Sequence, residues 1–309
     1  MRFEEAKFLS YHQPVDHETL LRVTDLFAKR YPFLTVTGLG NSILGKNIPI
    51  LILGNGEKHI IYVGAHHGME WITTAILLRF VNEFCEYYQS EKTIYKLSLP
   101  IFWDEFTLHV IPMLNPDGVD YQIHGVSEDN PIRTRVIDMN GGNEDFSHWQ
   151  ANARGVDLNH NYDAGFCEYK QLEMEQGILG GAPTRFSGQA PESEPEVRAL
   201  CNYIRFYDRI RFLMTLHTQG EEIFYRSGGI TLPGTRMAAQ KLSALSGYRL
   251  SDAEGLASFG GLTDWCIRSC RIPAVTVECG KGQNPLPIHQ FFPIFARLRE
   301  MLFIAPTLY

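Results

Sequence analysis

Short apolar runs at residues 48–52, 59–63, 107–114, 211–216 and 273–277 constrain this chain more than any other feature. Each is the length of a buried strand and too short for a core helix. Between them lie helical stripes. Residues 17–29 put Leu20, Leu21, Val23, Leu26 and Phe27 on one face, residues 71–88 are apolar on most sides, and residues 234–247 turn Met237, Ala238, Leu242 and Leu245 inward. A closing helix is read at 289–303, and another, carrying Val197, Leu200, Cys201 and Ile204, opens on a capping box at Ser193-Glu194-Pro195-Glu196. Strands alternating with helices predict one α/β domain over residues 1–309, a mixed, mostly parallel twisted sheet flanked by helices, with residues 1–44 as its N-terminal layer. Two turns are predicted as well: a tight hairpin at Asn55-Gly56, joining 48–52 to 59–63, and a turn at Asn115-Pro116-Asp117-Gly118. From there to about Pro191 the chain is aperiodic, yet Trp149, Tyr162 and Phe166 mark it as an ordered, site-building region.

Composition narrows the function classes. With 44% apolar residues the 309-residue chain can bury a large core, and a net charge of -7 without a basic block argues against nucleic-acid binding. No run approaches a membrane span, and the N-terminal residues carry acids rather than an apolar core, so a cytoplasmic protein is expected. The six cysteines are scattered without a Cys-x-x-Cys pair, which favours reduced structural thiols; Cys279, directly after Glu278, is read as packed rather than reactive.

The chemistry sits where the strands end. His67 and Glu70 follow the run at 59–63, His217 ends the run at 211–216, and Glu278 ends the run at 273–277. Open α/β sheets place their ligand crevices at the carboxyl ends of strands. Alone, His-x-x-Glu is weak evidence, and a histidine at a strand end is often just a satisfied side chain. Together, two histidines and a carboxylate can hold one zinc ion and leave a position for water, with Glu278 as a separate base. Burial would raise the pKa of Glu278 toward that of a useful base.

These residues carry a resemblance. Gly-Ala-His-His67-Gly-Met-Glu70-Trp resembles the zinc-ligand motif of the carboxypeptidase A superfamily, and Asn115-Pro116-Asp117-Gly118 and Gly155-Val156-Asp157-Leu158-Asn159 resemble its next two blocks, in the same order. Gly260-Gly261-Leu262-Thr263-Asp264-Trp265, followed by Glu278, is similar to the segment leading to the family's general base. Within the superfamily, the stretches from His217 to Tyr225 and from Glu278 to Pro287 look like bacterial gamma-D-glutamyl-meso-diaminopimelate peptidases, which cleave cell-wall peptides. The resemblance implies His67, Glu70 and His217 as zinc ligands, Glu278 as the group that activates water and then protonates the leaving amine, and Asp157 as the residue that orients His67. His66 is then a neighbour rather than a ligand.

The match fails on the substrate side. Where the family has an arginine after Asn159 this chain has His160, Gln150 lines up with a second family arginine, and Leu256 holds the place of the carboxypeptidases' mobile tyrosine. Arg154, Arg133 or Arg135 could substitute in space. Such losses should change what is bound more than what is cut. The expected substrate is a small peptide, best matched by a muropeptide cut between gamma-D-glutamate and diaminopimelate. The alternatives are a deacylase or amidase of acylated amino acids and a zinc-retaining peptide-binding protein with little turnover. Oligomeric state is open.

Overall fold

A computed structural model describes residues 10–252 and 259–309. Eight strands make one sheet: β1 (Thr35–Asn41), β2 (Asn47–Leu53), β3 (Lys58–Val63), β4 (Phe106–Ile111), β5 (Ile210–His217), β6 (Glu222–Phe224), β7 (Arg249–Ser251) and β8 (Ala274–Glu278). Their spatial order is β1-β2-β4-β3-β5-β8-β6-β7. The inner pairs β4/β3, β3/β5 and β5/β8 are parallel, whereas β1/β2, β2/β4 and β8/β6 are antiparallel. This is the mixed, mostly parallel sheet expected from the apolar runs.

The period-2 alternation of the inner strands explains why helices cover both faces. Ile60 and Tyr62 point into a core shared with helices α1 (His17–Arg30), α2 (Ile72–Gln89) and, further along the chain, the closing helix Phe291–Ile304. Ile61 and Val63 point the other way, toward helix Pro195–Phe206 and the aromatic residues Tyr162 and Trp265. Helix α1 starts where the Asp16 carboxylate accepts the Thr19 N–H at 2.9 Å, and it buries Leu20, Val23 and Phe27, with Leu21 36% exposed. On the same face of the sheet as α1, the Tyr62 hydroxyl donates to the Leu302 carbonyl at 2.8 Å and fixes the closing helix.

Four local expectations are corrected. Residues 48–52 and 59–63 do not form a hairpin: β4 lies between β2 and β3 and pairs with both. The positive φ of the connection, +95°, falls on Gly54, and the Gly56 N–H donates to the Phe106 carbonyl. The hairpin in this region is β1/β2, turned through residues 42–45. Second, Asn115-Pro116-Asp117-Gly118 opens a helix, Pro116–His124, because the Asn115 side chain accepts the Gly118 N–H and Pro116 occupies the first helical position. Third, the capping box is not made. Glu194 is the N-cap, and the Glu196 carboxylate accepts the Ile43 N–H instead of its own helix start. Fourth, Met237 is exposed, and helix Thr235–Ser246 packs through Ala238, Ala239 and Leu242.

Candidate active site

The parallel register brings the strand-end residues together. Val63 pairs with Thr215, and Glu278 pairs with His217 on the adjacent strand, so β3, β5 and β8 finish side by side. After Val63 the chain turns through Ala65 (φ +45°) and a single 3-10 turn, Gly68–Glu70, that swings Glu70 back beneath His67. Gly68 is required there, since a Cβ would lie 2.3 Å from the Gly118 carbonyl oxygen.

His67, Glu70 and His217 are buried, and their donor atoms all lie within 4.8 Å of one another. The His67 Nδ1 is 2.8 Å from Glu70 Oε1, the His217 Nδ1 is 3.0 Å from Glu70 Oε2, and the two Nδ1 atoms are 3.3 Å apart. Ligands at zinc's usual bond lengths on a tetrahedron stand about 3.3 Å from one another. The tautomer also fits. His67 Nε2 lies 3.0 Å from Asp157 Oδ1, a carboxylate that can only accept, so a neutral ring would keep its proton on Nε2 and turn its Nδ1 lone pair to the centre, whereas without a cation the Glu70 and Asp157 carboxylates together favour the charged ring. Two facing imidazole nitrogens beside a carboxylate are a donor set that a divalent cation satisfies. Asp157, fully buried, further accepts the Asn159 and Arg185 N–H groups and the Gln150 amide, and so is itself rigidly held.

Electrostatics follow the same geometry. Burial disfavours charge on Glu70, but His67 and His217 outweigh it and hold its pKa at about 2. Burial likewise opposes charge on His67, and Glu70 and Asp157 reverse that, raising its pKa well above the ordinary histidine value. Glu278 is pushed well above the usual carboxylate range, first by burial and then by the Glu70 charge. A cation at the triad would draw it back down. His66 is turned away: its Nε2 lies 3.0 Å from the Tyr162 hydroxyl and its Nδ1 3.2 Å from Thr215 Oγ1. Cys279 is buried, with its thiol pushed up by burial, in keeping with a packed role.

The triad and Glu278 open onto one cavity of about 410 Å³, which Gln150, Asn159 and His160 also line. Gln150 is held by the Thr184 hydroxyl at 2.7 Å, and Asn159 accepts the Leu262 N–H. His160 stacks on Tyr169 with ring centroids 4.0 Å apart and donates Nδ1–H to the Phe259 carbonyl, while burial lowers its pKa. No permanent charge therefore replaces an arginine at that position. Arg154 is corrected: it does not line the cavity and instead pairs with Glu194 at 3.2 Å. Arg133 is engaged by Glu128 and Glu144, and Arg135 is exposed on the same short helix. Leu256 lies outside the described residues. The sequence reading did not single out Arg226, Thr276 or Asn284, all of which line the cavity. Asn284 is tied to Thr218 by two hydrogen bonds, at 2.7 and 2.8 Å, which join the loops after β5 and β8.

The sequence pattern that defines the zinc carboxypeptidases matches residues 20–301. This chain belongs to the zinc carboxypeptidase family. It is 33% identical over 289 residues to gamma-D-glutamyl-L-diamino acid endopeptidase 1 of Lysinibacillus sphaericus, covering 94% of this chain and 71% of that protein. It is also 25% identical over 274 residues to carboxypeptidase B of Bos taurus, across 83% of this chain and 60% of that one. Among solved structures, thrombin activatable fibrinolysis inhibitor shares the fold with a TM-score of 0.73 at 19% identity, over 99% of this chain and 77% of that chain. The murein-tripeptide amidase MpaA from Escherichia coli O157 superposes with a TM-score of 0.52 at 19% identity, over 88% and 91%. The chain is a zinc metallopeptidase with the carboxypeptidase-like α/β fold, and the family is zinc-dependent.

Proposed function

We propose that this metallopeptidase hydrolyses the amide bond between a gamma-D-glutamyl residue and a diamino acid in small cell-wall peptides, using one zinc ion held by His67, Glu70 and His217. The observation that carries the reading is a single cleft in which the triad and Glu278 are complete while Gln150 and His160 supply no fixed positive charge. Clamping any free C-terminal carboxylate needs a permanent, fork-shaped cation; those two positions offer none, and Arg226, the one arginine among the described lining residues, is already paired with Asp252. The relative from Lysinibacillus sphaericus, named as an endopeptidase, supports an amide or peptide continuing past the cleaved bond.

Zinc in this donor set supplies a Lewis acid that polarises the scissile carbonyl and acidifies water. Glu278 takes the water proton and passes it to the leaving amine, which its burial beside the triad equips it to do. Asp157 holds the His67 proton on Nε2 so that Nδ1 keeps its lone pair. Gln150 and Asn159, both anchored, orient the peptide without demanding a charged terminus.

The test is incubation of zinc-loaded protein with L-Ala-gamma-D-Glu-meso-diaminopimelate and chromatographic detection of free diaminopimelate. Release is expected, and Glu278→Gln should lower kcat by roughly 10²–10⁴-fold while zinc is retained. Intact peptide overturns the substrate assignment. Full activity in the variant removes Glu278 from the mechanism.

A further inference from the structure

The two histidines of the triad are held in different ways. His67 has Asp157 behind its ring, 3.0 Å from Nε2. His217 has no such holder: its Nε2 is buried without a hydrogen-bond partner among the described residues, and its ring is steadied by stacking on His66, 5.1 Å between centroids. A metal-bound imidazole is ordinarily oriented by an acceptor on its second nitrogen, so the aim of His217 has to come from its backbone. That backbone lies where β5 and β8 reach their last register pair, His217 with Glu278, and ladder ends are where pairing frays. Beyond the pair the two loops stay joined. The Cys279 N–H donates to the His217 carbonyl at 2.7 Å, and the Gly220 N–H to the Gly280 carbonyl at 2.9 Å. Between His217 and Gly220 stands Thr218, which is buried, and the Asn284 side chain takes both of its polar groups. The Thr218 hydroxyl donates to Asn284 Oδ1 at 2.7 Å, while Asn284 Nδ2 donates to the Thr218 carbonyl at 2.8 Å. Residues 281–283 are exposed, so Asn284 is where the loop after β8 returns, just before Leu286 enters the core. A further tie between the loops, Lys281 to Glu221 at 2.8 Å, has a largely exposed lysine and is weak.

We propose that Asn284 is a positioning residue for the metal site: by clasping Thr218 at its hydroxyl and its carbonyl, it fixes the peptide that follows His217 and keeps that ring aimed at the donor set it forms with His67 and Glu70. This rests on the assignment of zinc to the triad and not on which peptide is cut. The sheet fixes the chain before His217, and the clasp fixes the chain after it. With both sides set, the ring keeps only its two side-chain torsions, which the His66 stack limits. Ligands must be held to within about 0.5 Å of the productive geometry, which a frayed strand end does not do. Thr218 and Asn284 both line the cleft, but the Asn284 Oδ1 and an Nδ2 proton are taken up by Thr218.

The experiment measures zinc affinity of the full chain by competition with a chromogenic chelator, and the visible absorption of the cobalt-loaded protein, which reports ligand geometry. Asn284→Ala should weaken zinc binding about 10–100-fold and alter the cobalt bands. Thr218→Val, which cuts one of the two bonds, should lose less, and Thr218→Ser, which keeps the hydroxyl, should recover most of that loss. The double variant Asn284→Ala with Thr218→Val should be no worse than Asn284→Ala alone, because the two residues act through one contact. Wild-type zinc affinity and cobalt bands in Asn284→Ala overturn the proposal: a fall in Tm alone then marks a structural contact, and a rise in KM alone a substrate contact. Losses that multiply in the double variant overturn it too. If Asn284→Ala does not fold, Thr218→Val and Thr218→Ser decide in the same way. A wild type that binds no zinc fails the metal assignment and the clasp with it. A wild type that binds zinc but leaves L-Ala-gamma-D-Glu-meso-diaminopimelate intact fails the substrate reading alone, and the zinc and cobalt measurements still decide the clasp.

Discussion

Replacing Glu196 by glutamine should make the protein more stable at neutral pH, although the native side chain is fully buried and hydrogen-bonded. Its carboxyl is pushed up to about 8, first by burial and then by the nearby Asp117 and Glu194 charges, against the donated Ile43 N–H. The ordinary value is 4.5, so between roughly pH 4.5 and 8 the folded chain holds a proton that the unfolded chain has released. Stability from this group is then complete below pH 4.5 and is lost as pH rises through 8, at up to about 1.4 kcal/mol per pH unit. From pH 5 to pH 7 the loss is on the order of 2 kcal/mol. Glutamine keeps an acceptor for the Ile43 N–H, 3.2 Å away, and its amide replaces the bound proton as a donor toward the neighbouring acids. Urea unfolding of Glu196→Gln and its parent, followed from pH 5 to pH 8, measures the difference. Zinc's own pH linkage is common to both proteins and cancels. The variant should match the parent near pH 5 and exceed it by on the order of 2 kcal/mol at pH 7. Parallel curves across that range would refute the reasoning.

Two further outcomes follow from the geometry around the triad. Asp157→Asn removes the charge 3.0 Å from His67 Nε2 and should weaken zinc binding about 10–100-fold in a chelator competition; unchanged affinity would mean that the tautomer is set by something else. Gly68→Ala places a methyl group 2.3 Å from a backbone oxygen, with no flexible side chain to yield, and should cost about 1–3 kcal/mol in the same urea assay as well as zinc affinity.

The juxtaposition of His67, Glu70, His217 and Glu278 was readable because strand ends announce themselves. An apolar run that stops at His217 or Glu278 has its position fixed by the sheet, and parallel pairing then dictates that the two stand adjacent. His67 and Glu70 are three residues apart, so their meeting is a local matter. Non-local choices were not readable. Asn55-Gly56 has good turn chemistry, yet the hydrogen bonds that decide the sheet come from residues 106–111, fifty positions later. Gly56 is needed for packing, since a Cβ would meet the Glu105 carbonyl carbon at 2.0 Å. The strands β6 and β7 are three residues each, below the length at which alternation can be seen. Arg154 stood close in sequence to the missing arginine but found a nearer acid in Glu194. Arg226 and Asp264, which carry no periodic signal, reach the cleft only through that folding.

The placement of β4 has a consequence for how the chain is made. β2 and β3 are synthesised first, and the edge that each turns to β4 stays open meanwhile, since β2 pairs otherwise only with β1 and β3 only with the later β5. Until residues 106–111 emerge, both edges are open to any passing strand, and α2 together with the short helix Leu99–Glu105 sets the delay. A nascent or truncated chain ending before Phe106 therefore carries a β1/β2 hairpin with its β2 edge open and a β3 with no sheet partner, where an aggregate can start, and the arrival of β4 is what joins the two.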